Sequence, residues 1–380
     1  MSDILKKMRE AATTLENEYI KKWKEKGGKI IGYSCTFMPV EIIHAAGILP
    51  VRLRGLGITS LAIGDTYYGP VVCSVPKCYV QLGGEGKYKF LDGAIITNGC
   101  DSMRRAYDTW IEADKDIPGS LPGFFEFMGV PHKAVDYTID FYAEDLKMLV
   151  AKIEKHFQVK ITDEKLKKSI SLYNEGRLLL QKLDALRWRK DVPINGEDAM
   201  AVLIASQVIP REEFNPLLKA LLKELEKAPA ISNGKKRVML IGSANDDIEF
   251  VKVIEESGTV VVSDTVCFGA RTYVNQVDEK GDSFKVLSAY YLQNNICPRM
   301  LGFYPERITY IQDLAKKSAV DGAVLQNVRF CDLHGSENGV IERDLEEIGI
   351  PCMRLEREYG PLAETGRIRM RIDALVERIR

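Results

Sequence analysis

The sequence contains no pair of cysteines spaced as CxxC, which removes zinc ribbons and ferredoxin-type ligand runs as local motifs. It contains no G-x-x-x-x-G-K-[ST] loop and no G-x-G-x-x-G placed after a strand, so any ATP chemistry has to come from a partner. The glycine-rich GGEGKYKF (83–90) lacks a strand–loop–helix setting and reads as a turn. Histidine is scarce, with four in 380 residues, and none has metal-ligand spacing. His44 lies on a helix, His132 and His156 have no spaced partner, and His334 follows Cys331 closely enough to stand behind a ligand. Packing is the favoured reading for all four. No apolar run approaches the ~20 residues that span a bilayer. The N-terminus, MSDILKKMREAATTLENEYI, is charged and amphipathic and has no apolar segment of signal-peptide type. Neither sign of charge is in excess: 53 basic and 54 acidic residues leave a net charge of −1. No global field therefore favours nucleic acid or an anionic membrane. These absences set the expectation of a cytoplasmic protein with no nucleic-acid or membrane partner.

What is present is an ordinary globular composition, 46% hydrophobic and 28% charged, in a chain long enough for two cores. Ser2 is a candidate N-cap, and Ile4, Leu5, Met8, Leu15, Tyr19 and Trp23 recur at helical spacing before Gly27, which predicts one opening helix. KIIGYSC (29–35), ILPVRL, YKFLDGAIITNGC (88–100) and VPHKAVDYTI (130–139) read as strands, with the helix PVEIIHAAG between the first two. Strands alternating with helices predict a doubly wound parallel sheet. RVMLIGS (237–243), TVVVSDTVC (259–267), VDGAVLQNVRFC (320–331) and IPCMRLE (350–356) repeat the order in the second half. LDGAIITNGCD faces VDGAVLQNVRFCD, and GVPHKAVDY faces GIPCMRLEREY, so an internal duplication is expected. The resulting division is an N-terminal helix plus first α/β domain over 1–140, a helical segment over 141–232 and a second α/β domain over 233–380. KAPAISNGKK (227–236) is the expected linker.

Eight cysteines, in a chain expected to sit in a reducing compartment, read as buried thiols or metal ligands rather than disulfides. Cys35, Cys100, Cys267 and Cys331 each fall just past the carboxyl end of an expected strand, at corresponding places in the two halves. Ligands of open α/β sheets bind outside that edge. Two facing sheets would gather these thiols in one cleft. Cys73, in YYGPVVCSVPKC at the start of a helix, and Cys297, at the end of the helix LSAYYLQNNIC, could reach the same place. A single cysteine is as readily a small core hydrophobe as a ligand; four at strand ends tilt the group toward a site. Cys352, inside a strand and opposite His132 in the repeat, reads as packing, and Cys78 is a reserve ligand. Four to six thiolates without histidine favour an iron–sulfur cluster over zinc.

The segments YSCTFMPVEIIHAAGILPVRL, CSVPKCYVQLGG, LDGAIITNGCDSMRR, CFGARTY and VDGAVLQNVRFCDL, with the C-terminal GIPCMRLEREYGPLAETGRIRMRIDALVERI, resemble the 2-hydroxyacyl-CoA dehydratase and benzoyl-CoA reductase subunit family. The resemblance implies two flavodoxin-like doubly wound domains with an iron–sulfur cluster between them. It implies Cys73, Cys100 and Cys331 as the three ligands of a single 4Fe–4S cluster in dehydratase-type subunits. With Cys35, Cys267 and Cys297 added, the set is similar to the double-cubane branch, whose 8Fe–9S centre takes three thiolates per cubane. The expected activity is ATP-dependent, low-potential reduction of a small substrate, with electrons from a separate iron–sulfur ATPase, the activator. A homodimer is expected. The alternative is a lyase- or reductase-type subunit acting on an acyl-CoA with one 4Fe–4S cluster and an unlike partner; a third reading is a non-catalytic electron carrier. Arg104, Arg105 and Arg271 are expected to offset cluster charge, against the favoured alternative of a solvated helix face.

Overall fold

A computed structural model describes residues 2–232, 234–293, 296–360 and 364–379. Two four-stranded parallel sheets carry the fold. The first, in the order β2-β1-β3-β4, is built from β1 (Ile30–Tyr33), β2 (Leu49–Arg52), β3 (Gly93–Thr97) and β4 (Phe124–Met128). The second, β6-β5-β7-β8, repeats that order with β5 (Lys236–Gly242), β6 (Thr259–Asp264), β7 (Gly322–Val328) and β8 (Cys352–Arg357). β1, β3 and β6 are buried along their length, which is why they read as near-continuous apolar runs rather than alternating ones. The shared strand order bears out an α/β fold of flavodoxin-like type with the halves arranged alike.

Before and within the first sheet lie α1 (Asp3–Thr13), α2 (Glu18–Glu25), α3 (Val40–Ala45), α4 (Ala62–Tyr67), α5 (Ser74–Gly84) and α6 (Asp101–Asp116). The long connection holds α7 (Asp136–Phe157), α8 (Asp163–Arg187), α9 (Gly196–Ala205) and α10 (Arg211–Leu225). The second half adds α11 (Ile248–Glu256), α12 (Ser283–Gln293), α13 (Tyr304–Lys317), α14 (Asp332–Glu346) and α15 (Thr365–Arg378). Helix α9 is buried from Ala199 to Ala205 because it packs between α1, α11 and β6. The helical connection thus covers the second sheet, and one apolar core runs through residues of both sheets, Val51 and Val238 among them. Among the described residues, no helix is long and apolar enough to cross a membrane.

Several expectations need correction. The opening helix is two helices, because the Asn17 side chain accepts from the Tyr19 and Ile20 N–H groups and starts α2 afresh. The strand expected over 130–139 is instead Phe124–Met128. Its aromatic FFEFM pairs with β3 in register Gly93↔Phe124, while Asp136 already begins α7. His132 therefore lies exposed in a loop and is not the counterpart of Cys352. The helix expected to run to Cys297 is described only to Gln293; Asn294 and Asn295 lie outside the described residues, and Cys297 sits in a non-helical segment. Part of the expected linker, Asn233, also lies outside them, as do residues 361–363 of the C-terminal match.

The strand-end correspondence of the cysteines holds only for Cys100 after β3 and Cys331 after β7. Cys35 follows β1, whereas Cys267 follows β6, the counterpart of β2. The true counterparts after β1 and β5 are serines. Ser34 Oγ accepts from the Thr97 N–H at 2.9 Å, and Ser243 Oγ accepts from the Val328 N–H at 2.8 Å. Each serine latches its strand end to the neighbouring strand just before the cysteine loop.

Candidate metal centre

The carboxyl ends of the two sheets face one cavity of about 90 Å3, several times the ~10–15 Å3 that one water needs. Cys35, Cys73, Cys100, Cys267, Cys297 and Cys331 all line it. The rest of the wall is largely apolar, with Val75, Tyr79, Met103, Phe268, Val328 and Leu333. Cys78 is absent from it: its Sγ packs against Gly55 and points at the Tyr359 carbonyl, 3.9 Å away. Cys352 lies at the opposite end of its strand, its Sγ 3.4 Å from the Ile350 carbonyl oxygen.

Local structure sorts the six thiols into two sets. Cys73, Cys100 and Cys331 occupy the N-cap positions of α5, α6 and α14. Unsatisfied N–H groups and the positive end of the helix dipole meet there, a setting that stabilises a thiolate. The Met103 N–H donates to Cys100 Sγ at 3.3 Å. The Val75 and His334 N–H groups act on Cys73 and Cys331 in the same sense, without closing a cap hydrogen bond of normal geometry. Cys331 is presented by Phe330, which adopts a left-handed conformation (φ 61°) that non-glycine residues rarely take. Cys35, Cys267 and Cys297 lie in loops instead. Gly99 is what lets Cys35 in: a methyl group there would come within 2.6 Å of Cys35 Sγ.

Arginine serves the loop thiols. Arg271, 5% exposed, directs Nη1 to Cys267 Sγ at 3.1 Å and donates through Nη2 to the Gly242 carbonyl at 2.9 Å. That carbonyl is turned toward it by a φ of 138°, and a side chain at position 242 would collide with the Gln326 carbonyl. Arg104 and Arg105, by contrast, are exposed on α6, so the solvated-face reading applies to them. Burial pushes the Cys73 and Cys297 thiols up to about 11 and Cys331 up to about 12, and Cys100 is likewise raised well above its ordinary value. Without a metal these groups are neutral thiols, and binding one would release their protons.

Sequence reasoning gave His334 a packing role and missed Arg52. His334 is buried, and burial holds its imidazole neutral. Its Nε2 lies 3.2 Å from Arg271 Nη2 and so accepts, which leaves the proton on Nδ1 with no acceptor. Arg271 Nε is orphaned in the same way. Buried donors without acceptors are costly; here His334 sits on the wall of the cavity lined by thiols and Arg271 stands behind it on Cys267, so the residues present fit an anionic sulfur-rich group. Among the described residues, no three Cys, His, Asp or Glu side chains surround one point as ligands of a single ion. Thiols spread along a cavity wall suit a polynuclear centre, in which different sulfurs bind different irons. His44 and His156 are structural: His44 bridges Ser169 and Glu212, and His156 packs on Phe124 and Phe157.

Residues 35–379 match the family model described as 2-hydroxyglutaryl-CoA dehydratase, D-component. The chain is similar to a subunit of the benzoyl-CoA reductase of Thauera aromatica, 30% identical over 339 residues that cover 87% of this chain and 86% of that one. It is 26% identical to the (R)-phenyllactyl-CoA dehydratase beta subunit of Clostridium sporogenes, covering 90% of each chain. It is 23% identical to the beta subunit of the (R)-2-hydroxyglutaryl-CoA dehydratase of Acidaminococcus fermentans, covering 89% of this chain and 91% of the other.

Proposed function

Since this chain belongs to the 2-hydroxyglutaryl-CoA dehydratase D-component family, we propose that it is a reductase subunit working through an iron–sulfur centre held by Cys35, Cys73, Cys100, Cys267, Cys297 and Cys331. The observation that carries this reading is the single cavity walled by all six thiols. Their division into three helix N-cap thiols and three loop thiols, one of the latter paired with Arg271, supports a double-cubane 8Fe–9S centre with three thiolates per cubane. Such a centre would supply low-potential electrons to a small substrate. The chain's own residues do the rest. The apolar wall excludes water, the three helix N-termini and Arg271 offset thiolate charge, and His334 Nδ1–H stands ready to donate to sulfur. Electrons would arrive from a separate iron–sulfur ATPase, the activator that the family resemblance implies, and the protein would act as a homodimer.

A second reading, a lyase- or reductase-type subunit with one 4Fe–4S cluster on Cys73, Cys100 and Cys331 and an unlike partner, is favoured by the names of the relatives, each a subunit of an enzyme acting on a CoA thioester. Anaerobic purification followed by iron and sulfide analysis separates the two. About eight irons per chain supports the double cubane, and about four supports the single cluster. Mass measurement then distinguishes a homodimer from an obligate pair of unlike subunits. Full reduction by a mild donor, with neither activator nor ATP, would remove the ATP-dependent part of the proposal.

A further inference from the structure

A second cavity, of about 50 Å3, adjoins the thiol-lined one, and Thr36 and Arg52 belong to both walls. Its lining holds four arginines, Arg52, Arg177, Arg211 and Arg271, and no aspartate or glutamate. Two of the four are occupied. Arg177 is ion-paired with the fully buried Glu41, and Arg271 is directed to Cys267. The other two make no ion pair among the described residues. Arg52 is 4% exposed and lies over the rings of Tyr33 and Phe268, at 5.4 and 4.7 Å, with Nε and Nη1 both lacking an acceptor. Arg211 lies over Tyr173 and Phe214 with Nε lacking one; it is half-buried. Opposite in character is Gln207. Its Nε2 donates to the Leu203 and Phe268 carbonyls, which fixes the orientation of the amide and leaves Oε1 buried without a donor.

Unpaired buried guanidinium groups are held at a cost unless an anion completes them. Arginine N–H groups match the oxygens of a carboxylate, and the free Gln207 oxygen asks for a hydroxyl or amino hydrogen. At ~10–15 Å3 per water-sized atom, the space admits on the order of three to five heavy atoms. We propose that this cavity binds a small carboxylate carrying a hydrogen-bond donor, held between Arg52, Arg211 and Gln207 beside the thiol-lined cavity. The inference builds on the reading of that cavity as the redox centre and names the chemical class of ligand presented to it.

Glycolate and its uncharged isostere glycolamide serve as probes, titrated calorimetrically into anaerobic, iron-replete protein. Glycolate should bind and glycolamide should bind at least tenfold more weakly, because charge-assisted hydrogen bonds to arginine are lost. Arg211→Gln should weaken glycolate at least tenfold with iron per chain unchanged, and Arg211→Lys should recover part of the loss. Arg211 lies outside the thiol-lined wall, so this variant keeps the test independent of Arg52→Gln, which could disturb that wall. Equal affinities for the two probes, no heat from glycolate, or unaltered binding in both arginine variants would overturn the proposal, as would binding of acetyl-CoA that excludes glycolate and ignores Arg211→Gln. Loss of glycolate binding with full iron leaves the iron–sulfur reading standing. Glycolate binding by a chain that holds no iron would remove that reading and leave the anion site.

Discussion

Gly99→Ala tests the packing that admits Cys35 to the cavity wall. The added methyl would lie 2.6 Å from Cys35 Sγ and 3.3 Å from its Cβ. Favourable separations are about 3.5–4.0 Å, so the sulfur has to retreat by about 1 Å. Cysteine has one rotatable side-chain bond, so either the thiol swings off the wall or the loop after β1 moves with it. Overpacking of this kind costs about 1–3 kcal/mol. At about 2–4 °C per kcal/mol for chains of 150–250 residues, and less for longer ones, melting should fall by a few degrees. Iron per chain, measured on the same anaerobic sample, should fall as well, because position 99 also leads directly into Cys100. Gly366→Ala is the control: its methyl meets nothing within 4 Å, and alanine suits a helix better than glycine. Unchanged iron and unchanged melting in Gly99→Ala would refute the reasoning. Lowered melting with full iron would remove Cys35 from the ligand set.

Cys331→Ser should strip or badly deplete the iron, whereas Cys352→Ser, altering a thiol remote from the cavity, should keep iron near wild type; the reverse pattern in iron analysis would contradict the assignment. Arg177→Met leaves Glu41 buried and unpaired except for the Tyr291 hydroxyl, and denaturant unfolding should register a loss of about 3–5 kcal/mol. Removing iron with a chelator should lower the melting temperature and raise protease sensitivity of the loops carrying Cys35, Cys267 and Cys297, since a ligand bound only by the folded state stabilises it. Equal melting of loaded and stripped protein would show that the cavity binds no metal.

The alternation of apolar runs with helical segments was enough to establish a doubly wound fold and to place Cys35, Cys100, Cys267 and Cys331 past strand ends. In a parallel sheet every such end opens on one edge, so position along the strand already implies position in space. Cys73 was legible for a similar local reason, as the residue before a helix. β4 was misplaced because FFEFM does not alternate and a proline-bearing loop beside it looked extended; its pairing with β3 decided the matter. The repeat also suggested one correspondence too many, and only the strand order revealed Ser34 and Ser243 as the matching latches. Burial of charge lay furthest from the sequence. Arg104, Arg105 and Arg271 look alike as letters, yet Arg271 alone is enclosed, by Gly242, Cys267 and His334 from separate elements. Arg52, Arg211 and Gln207 meet only because the helical connection folds back over both sheets. Periodicity is a property of neighbours in the chain, but the desolvation of a guanidinium depends on everything packed around it, and that is decided only when distant segments come together.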